Sequence, residues 1–110
     1  MEDQREFKRF PVQLSARFLG GSDDKWTSCS VTNVSREGMG IEVYLQEQIH
    51  PGEILQFKII IPAKEELIKT TGTVTWSKEL NEKMSFIGGI KFFNNASEDI
   101  WNLLEYAYTN

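Results

Sequence analysis

The sequence predicts an all-β domain with one C-terminal helix, folded as a six-stranded antiparallel β-barrel. Three observations predict it. Apolar and polar residues alternate with a period of two through most of the chain. Turn-forming residues interrupt that alternation about every eight to twelve residues, and a helical stripe occurs only in the last segment. A barrel is expected rather than a sandwich because closure leaves no unpaired strand edge. A chain of 110 residues suffices for one core without a disulfide or structural metal.

Residues 1–10 are polar and charged apart from Phe7 and Phe10, and read as a flexible N-terminal arm; residues 11–110 read as barrel and helix. From Val12 to Leu19, Val12, Leu14, Ala16 and Phe18 share one face and Gln13, Ser15 and Arg17 the other, as in a half-buried strand. Gly20 to Asp24 is a turn, and Trp26 to Val34, rich in Thr, Ser and Val, completes a hairpin. After the turn Ser35-Arg36-Glu37-Gly38, Met39, Ile41 and Val43 face one way and Gly40, Glu42 and Tyr44 the other, giving a third strand.

His50-Pro51-Gly52 is a turn signature ahead of an apolar strand, Ile54 to Ile61, that Pro62 ends. Thr70 to Ser77 and Met84 to Phe93 supply the fifth and sixth strands, with Gly88-Gly89 expected at a bulge or tight curve. In the helix, Ile100, Leu103, Leu104 and Ala107 form the apolar stripe, and Asn95 with Glu98 has capping-box spacing. The aromatics Phe57, Phe86, Phe92, Phe93 and Trp101 are expected in the core or in the seam between helix and barrel.

Composition narrows the function. The net charge of −4 opposes a protein that coats nucleic acid, since that affinity is built from many cations on phosphates. No apolar run approaches the length of a membrane span and the N-terminus lacks a signal-peptide pattern, so membrane insertion is not expected and a cytoplasmic location is. Cys29 is the single cysteine and reads as a small core residue; His50, on a turn, has no carboxylate nearby in sequence to make an acid/base pair. The scattered acidic residues lack the spacing of a calcium loop, so no metal site and no catalytic residue is expected.

All four arginines, Arg5, Arg9, Arg17 and Arg36, lie in the first third of the chain. The guanidinium fork suits phosphate and guanine edges, so a small anion near the N-terminal third is plausible on an acidic protein. The informative constellation is Arg5-Glu6-Phe7-Lys8-Arg9, just before the first strand, and Asn33-Val34-Ser35-Arg36-Glu37-Gly38, at the turn between the second and third. Either half alone also reads as a solvated arm or an Asx-type turn.

In this order and setting the chain resembles the PilZ domain family, which carries Arg-x-x-x-Arg and then Asp/Asn-x-Ser-x-x-Gly on a six-stranded barrel with a C-terminal helix. Gly72-Thr73-Val74-Thr75-Trp76 and Ile87-Gly88-Gly89-Ile90-Lys91-Phe92 extend the resemblance. It implies a binding domain, without a resident cofactor, for cyclic di-GMP, a second messenger with two guanines and two phosphates. Arg5 and Arg9 are then expected on phosphates or guanine edges, Asn33 on a guanine edge, and Ser35 between ligand and backbone. Gly38 is expected to give the turn a positive φ. Arg36 would add positive potential at the mouth or stand exposed. Trp76 reads as a core residue, the alternative being a ring that stacks a guanine.

Gln4 stands where a further basic residue would add the countercharge for a stacked pair of ligands, which points to one ligand or to weak binding. With no catalytic or output domain in the sequence, a signal would pass to a separate protein partner. Two rival readings are a PilZ-like interaction module of pilus or motility machinery that binds no nucleotide, and a small barrel for single-stranded nucleic acid, which the acidic charge opposes.

Overall fold

The computed structural model describes residues 8–20, 25–44, 49–64, 66–80, 85–94 and 96–109. Among them are six strands, β1 (Phe10–Gly20), β2 (Thr27–Val34), β3 (Gly38–Tyr44), β4 (Ile54–Ile61), β5 (Glu66–Leu80) and β6 (Ser85–Phe92), a single 3₁₀ turn at Pro62–Lys64, and one helix, α1 (Glu98–Thr109). The strands close into a barrel in the order β1-β2-β3-β6-β5-β4, every neighbouring pair antiparallel. Two three-strand meanders are thus joined by the β3–β4 connection and sealed where β1 meets β4 and β3 meets β6.

The period-two pattern decides which side chains fill the barrel. Leu14, Ala16 and Phe18 of β1, Met39, Ile41 and Val43 of β3, and Leu55, Phe57, Ile59 and Ile61 of β4 are all buried. Each full burial of a large aliphatic or aromatic side chain stabilises the fold by about 1.5–3 kcal/mol. Cys29 lies in this core, as its strand position suggested, and burial pushes its thiol up to about 12.

The His50-Pro51-Gly52-Glu53 turn carries Pro at its second position and Gly52, with φ 95°, at its third, as a type II turn requires. Glu53 N–H closes it by donating to the His50 carbonyl at 3.1 Å. Just before it, buried Ile49 occupies the space that a Cβ on Gly88 would need.

Helix α1 packs against β5, β1 and β2 through Ile100, Leu103, Leu104 and Ala107, the four residues of the expected stripe. Its cap is Ser97, whose Oγ accepts the Ile100 N–H at 3.2 Å; the expected cap, Asn95, lies outside the described residues. Asp99 Oδ2 accepts the Lys69 N–H at 2.9 Å, Asn102 Nδ2 donates to Glu66 Oε2 at 2.9 Å, and Phe10 meets Tyr108 edge-to-face at 5.6 Å. These contacts fix the helix beside the first residues of β5 and the start of β1.

Two expectations about the aromatics change. Phe57, Phe86 and Phe92 are buried, but Phe93 and Trp101 are exposed. Phe93 follows inward-facing Phe92 and so alternates outward. Trp101 belongs to the outer stripe of α1 with Glu98, Glu105 and Tyr108.

Candidate functional site

The two halves of the arginine and Asn-x-Ser-x-x-Gly constellation meet where β1 begins beside the end of β2. Pro11 is in register with Asn33, which brings the preceding Arg9 alongside that strand. Arg9 Nη1 donates to Asn33 Oδ1 at 2.5 Å across 24 positions of sequence. Asn33 Nδ2 in turn donates to Thr32 Oγ1 at 3.3 Å. Each end of the Asn33 amide is therefore held by one bond, which leaves a second lone pair on Oδ1 and a second N–H on Nδ2 as sites for a ligand. Arg5 and Gln4 lie outside the described residues.

Ser35 is buried, and its hydroxyl serves the turn itself. Its Oγ accepts the N–H groups of Glu37 and Gly38, each at 3.3 Å, while Ser35 N–H donates to the Gly38 carbonyl at 2.8 Å. Glu37 carbonyl accepts the Phe92 N–H at 2.9 Å, tying the turn to β6. Ser35 thus shapes the loop that presents Asn33. Arg36 leans on the helix, its guanidinium carbon 5.1 Å from the Trp101 ring centroid.

The reason for glycine at 38 differs from the one expected. Among the described residues the glycine with positive φ is Gly52, not Gly38. At Gly38 the constraint is close approach: a Cβ would overlap the Ile90 carbonyl oxygen and press on the Lys91 backbone of the paired strand.

Trp76 is not a core residue. It is 47% exposed on the outer wall, because Thr75 is an extra residue between the Val74–Ile90 and Trp76–Gly89 pairs. This bulge lies in β5, opposite the glycine pair at which the sequence suggested one, and Thr75 Oγ1 donates to the Gly89 carbonyl at 3.1 Å. The indole lies over Gly89, in the space a Cβ would take.

Register assembles the rest. Asn33 is paired with Gly40, Gly40 with Gly89, and Gly89 with Trp76, so one row crosses β2, β3, β6 and β5 on the outer wall. Asn33 occupies the Cβ space of Gly40 as Trp76 does that of Gly89. The two glycines thus let an amide with its arginine at one end of the row and an exposed indole at the other lie close against the strands. The row can offer a hydrogen-bonding edge, a cation and a stacking face to one planar, anionic ligand. Gly40 and Gly89 were not among the expected site residues; their shared outward parity was the available signal.

Six antiparallel strands closed in this order, with one C-terminal helix packed on β5, β1 and β2, define an architecture of known type. The PilZ domain pattern matches residues 3–108, and the chain belongs to the PilZ domain family. No curated protein sequence matches closely enough to count as a relative. Among solved structures, the Bacillus subtilis inhibitor of motility (MotI/DgrA) aligns at TM-score 0.77 and 18% identity, over 98% of this chain and 51% of that one. The PilZ domain of YcgR from Escherichia coli, in a structure with c-di-GMP, aligns at TM-score 0.77 and 11% identity, over 97% and 91%. MrkH of K. pneumonia in its apo state aligns at TM-score 0.65 and 12% identity, over 99% and 52%. This chain therefore spans about half the length of the first and third. At these identities the similarity shows the fold.

Proposed function

We propose that this domain is a receptor for cyclic di-GMP that transmits its occupancy to a separate protein and catalyses no reaction. The observation that carries this reading is the Arg9–Asn33 hydrogen bond, which joins the two motif halves at one end of the Asn33–Gly40–Gly89–Trp76 row. Family membership and the fold shared with a c-di-GMP-bound PilZ domain support it.

In this reading the ligand displaces Arg9 from Asn33. The freed amide reads a guanine edge, the Arg9 guanidinium turns to phosphate or to the guanine O6/N7 pair, and Trp76 stacks a base. Ser35 and Gly38 hold the turn in shape. The segment bearing Arg5 closes over the phosphates, and Gln4 favours a single ligand by withholding a further cation. Arg36, resting on Trp101, links the turn to α1.

The test is a thermal-shift titration of the full chain with cyclic di-GMP and, separately, GMP. At a hundredfold excess over Kd, binding adds about 2.7 kcal/mol of stability. A melting temperature that rises with cyclic di-GMP and not with GMP supports the receptor reading. No rise with either ligand, together with flat calorimetry, refutes it and leaves a protein-interaction module on the same fold.

A further inference from the structure

The wall of the barrel away from the candidate nucleotide site carries an arrangement that costs stability. Arg17 of β1 is directly opposite Lys58 of β4, and Lys58 is directly opposite Lys69 of β5. All three point outward, since Ala16, Phe18, Phe57, Ile59 and Ile68 beside them fill the core. Like charges directly opposite in a sheet repel. Among the described residues no carboxylate forms an ion pair with any of the three. The Asp99 carboxylate nearby is hydrogen-bonded to the Lys69 backbone N–H.

The cations are set among aromatic and apolar groups. Lys58 Nζ lies 4.4 Å from the Trp26 ring centroid. Trp26 borders an open groove of about 870 Å³ lined in part by Arg17, Lys25, Tyr44 and Ile60. Trp26 also lines a hollow of about 390 Å³ that includes Lys58 and Lys69. Two positions along the same face, Ile60 pairs with Leu67, and both are more than two-fifths exposed, as is Tyr44.

We propose that this wall docks an acidic amphipathic helix of a partner protein, with Arg17, Lys58 and Lys69 pairing its carboxylates and Ile60, Leu67 and Tyr44 meeting its apolar flank. The proposal rests on the reading of the domain as an adaptor and names the surface and the chemistry of its partner. Strands lie about 4.8 Å apart, so the row of cations spans about 10 Å. Carboxylates at i, i+4 and i+7 of a helix spread over about 10.5 Å along its axis, which matches. A polyphosphate chain would leave the apolar flank unused, and a lipid surface calls for a protruding apolar element where this wall has a groove. The Asn33–Trp76 row crosses β2, β3, β6 and the middle of β5, whereas the cations lie on β1, β4 and the first residues of β5, so partner and nucleotide would contact different residues.

The test uses the full chain and a fluorescein-labelled, alanine-based helical peptide with Glu at i, i+4 and i+7 and Leu on the adjoining positions. A matching peptide with Lys for Glu and phosphatidylserine vesicles serve as comparisons. Anisotropy is expected to show binding of the Glu peptide that weakens with salt and falls at least about tenfold in the Lys58→Glu/Lys69→Glu variant, while the Lys peptide gains affinity for that variant. Should the charge reversal prevent folding, Lys58→Gln/Lys69→Gln is expected to show the same loss for the Glu peptide. The proposal is overturned if the Glu peptide does not bind, if it binds wild type and variants equally, or if only the vesicles bind. Calorimetry with cyclic di-GMP on the same proteins separates the two readings. Nucleotide binding retained without peptide binding sinks the docking wall alone, and peptide binding without nucleotide binding sinks the receptor reading alone.

Discussion

Replacing Gly38 distinguishes two physical reasons for a glycine at that position. A Cβ at Gly38 would overlap the Ile90 carbonyl oxygen, which is backbone held in the β3–β6 ladder and cannot rotate away. Overpacking of this kind costs about 1–3 kcal/mol. Against it, alanine restricts the unfolded chain and recovers about 0.4–1 kcal/mol. The net destabilisation of Gly38→Ala is therefore about 1–2 kcal/mol, or roughly 4–8 °C in melting temperature for a domain of this size. Gly38→Asn, being larger at the same contact, is expected to be worse. Gly52 behaves in the opposite way. Its φ of 95° is the constraint and a Cβ there meets nothing, so Asn, which tolerates the left-handed region, is expected to be better than Ala. Thermal unfolding by circular dichroism of the four variants gives both orders. If Gly38→Asn is more stable than Gly38→Ala, the close-approach reasoning is wrong and the backbone angle governs the turn.

Other substitutions probe separate links. Trp76→Ala is expected to change apo stability by less than about 1 kcal/mol, since the ring lies on the outer wall, while weakening cyclic di-GMP by about 1–3 kcal/mol in a calorimetric titration. Ser97→Ala removes the acceptor for the Ile100 N–H and is expected to cost about 1 kcal/mol, read from urea unfolding. For Cys29, burial raises the folded-state thiol from 9.0 to about 12. A raised value means its contribution is fully present below about 9 and is lost as pH climbs toward about 12, so stability should fall over that window. A Cys29→Ala variant should lack that part of the alkaline loss. At pH 8 an aromatic disulfide reagent should label native protein no faster than it unfolds.

Much of the barrel is legible in local patterning because one face of each strand is buried, so alternation alone separates Leu14, Ala16 and Phe18 from Ser15 and Arg17. The fifth strand reads too short, since Glu66 to Lys69 and Lys78 to Leu80 are mostly solvated and carry little periodic signal. Pairing with Ile61 at one end and Ser85 at the other extends β5 across both segments. Among the described residues the helix cap is Ser97, which bonds the Ile100 N–H and which the apolar stripe alone does not single out.

The site divides along similar lines. The Arg and Asn-x-Ser-x-x-Gly motif marks Arg9, Asn33 and the turn, since those positions sit next to each other through the simple β1–β2 hairpin. The glycine pair is hidden, because placing Gly40 beside Gly89 needs the register of β3 against β6, which joins residues far apart in sequence. Trp76 was expected inside because strand tryptophans usually bury their area; the extra residue at Thr75 changes its parity and sends it outward.

Isothermal calorimetry of cyclic di-GMP against wild type and Arg9→Ala tests the central claim most directly. The account predicts a saturable heat with wild type near one ligand per chain, and its loss in Arg9→Ala without a matching fall in apo melting temperature. An Arg9→Ala variant that binds as wild type does, or a wild type that gives no heat, contradicts it.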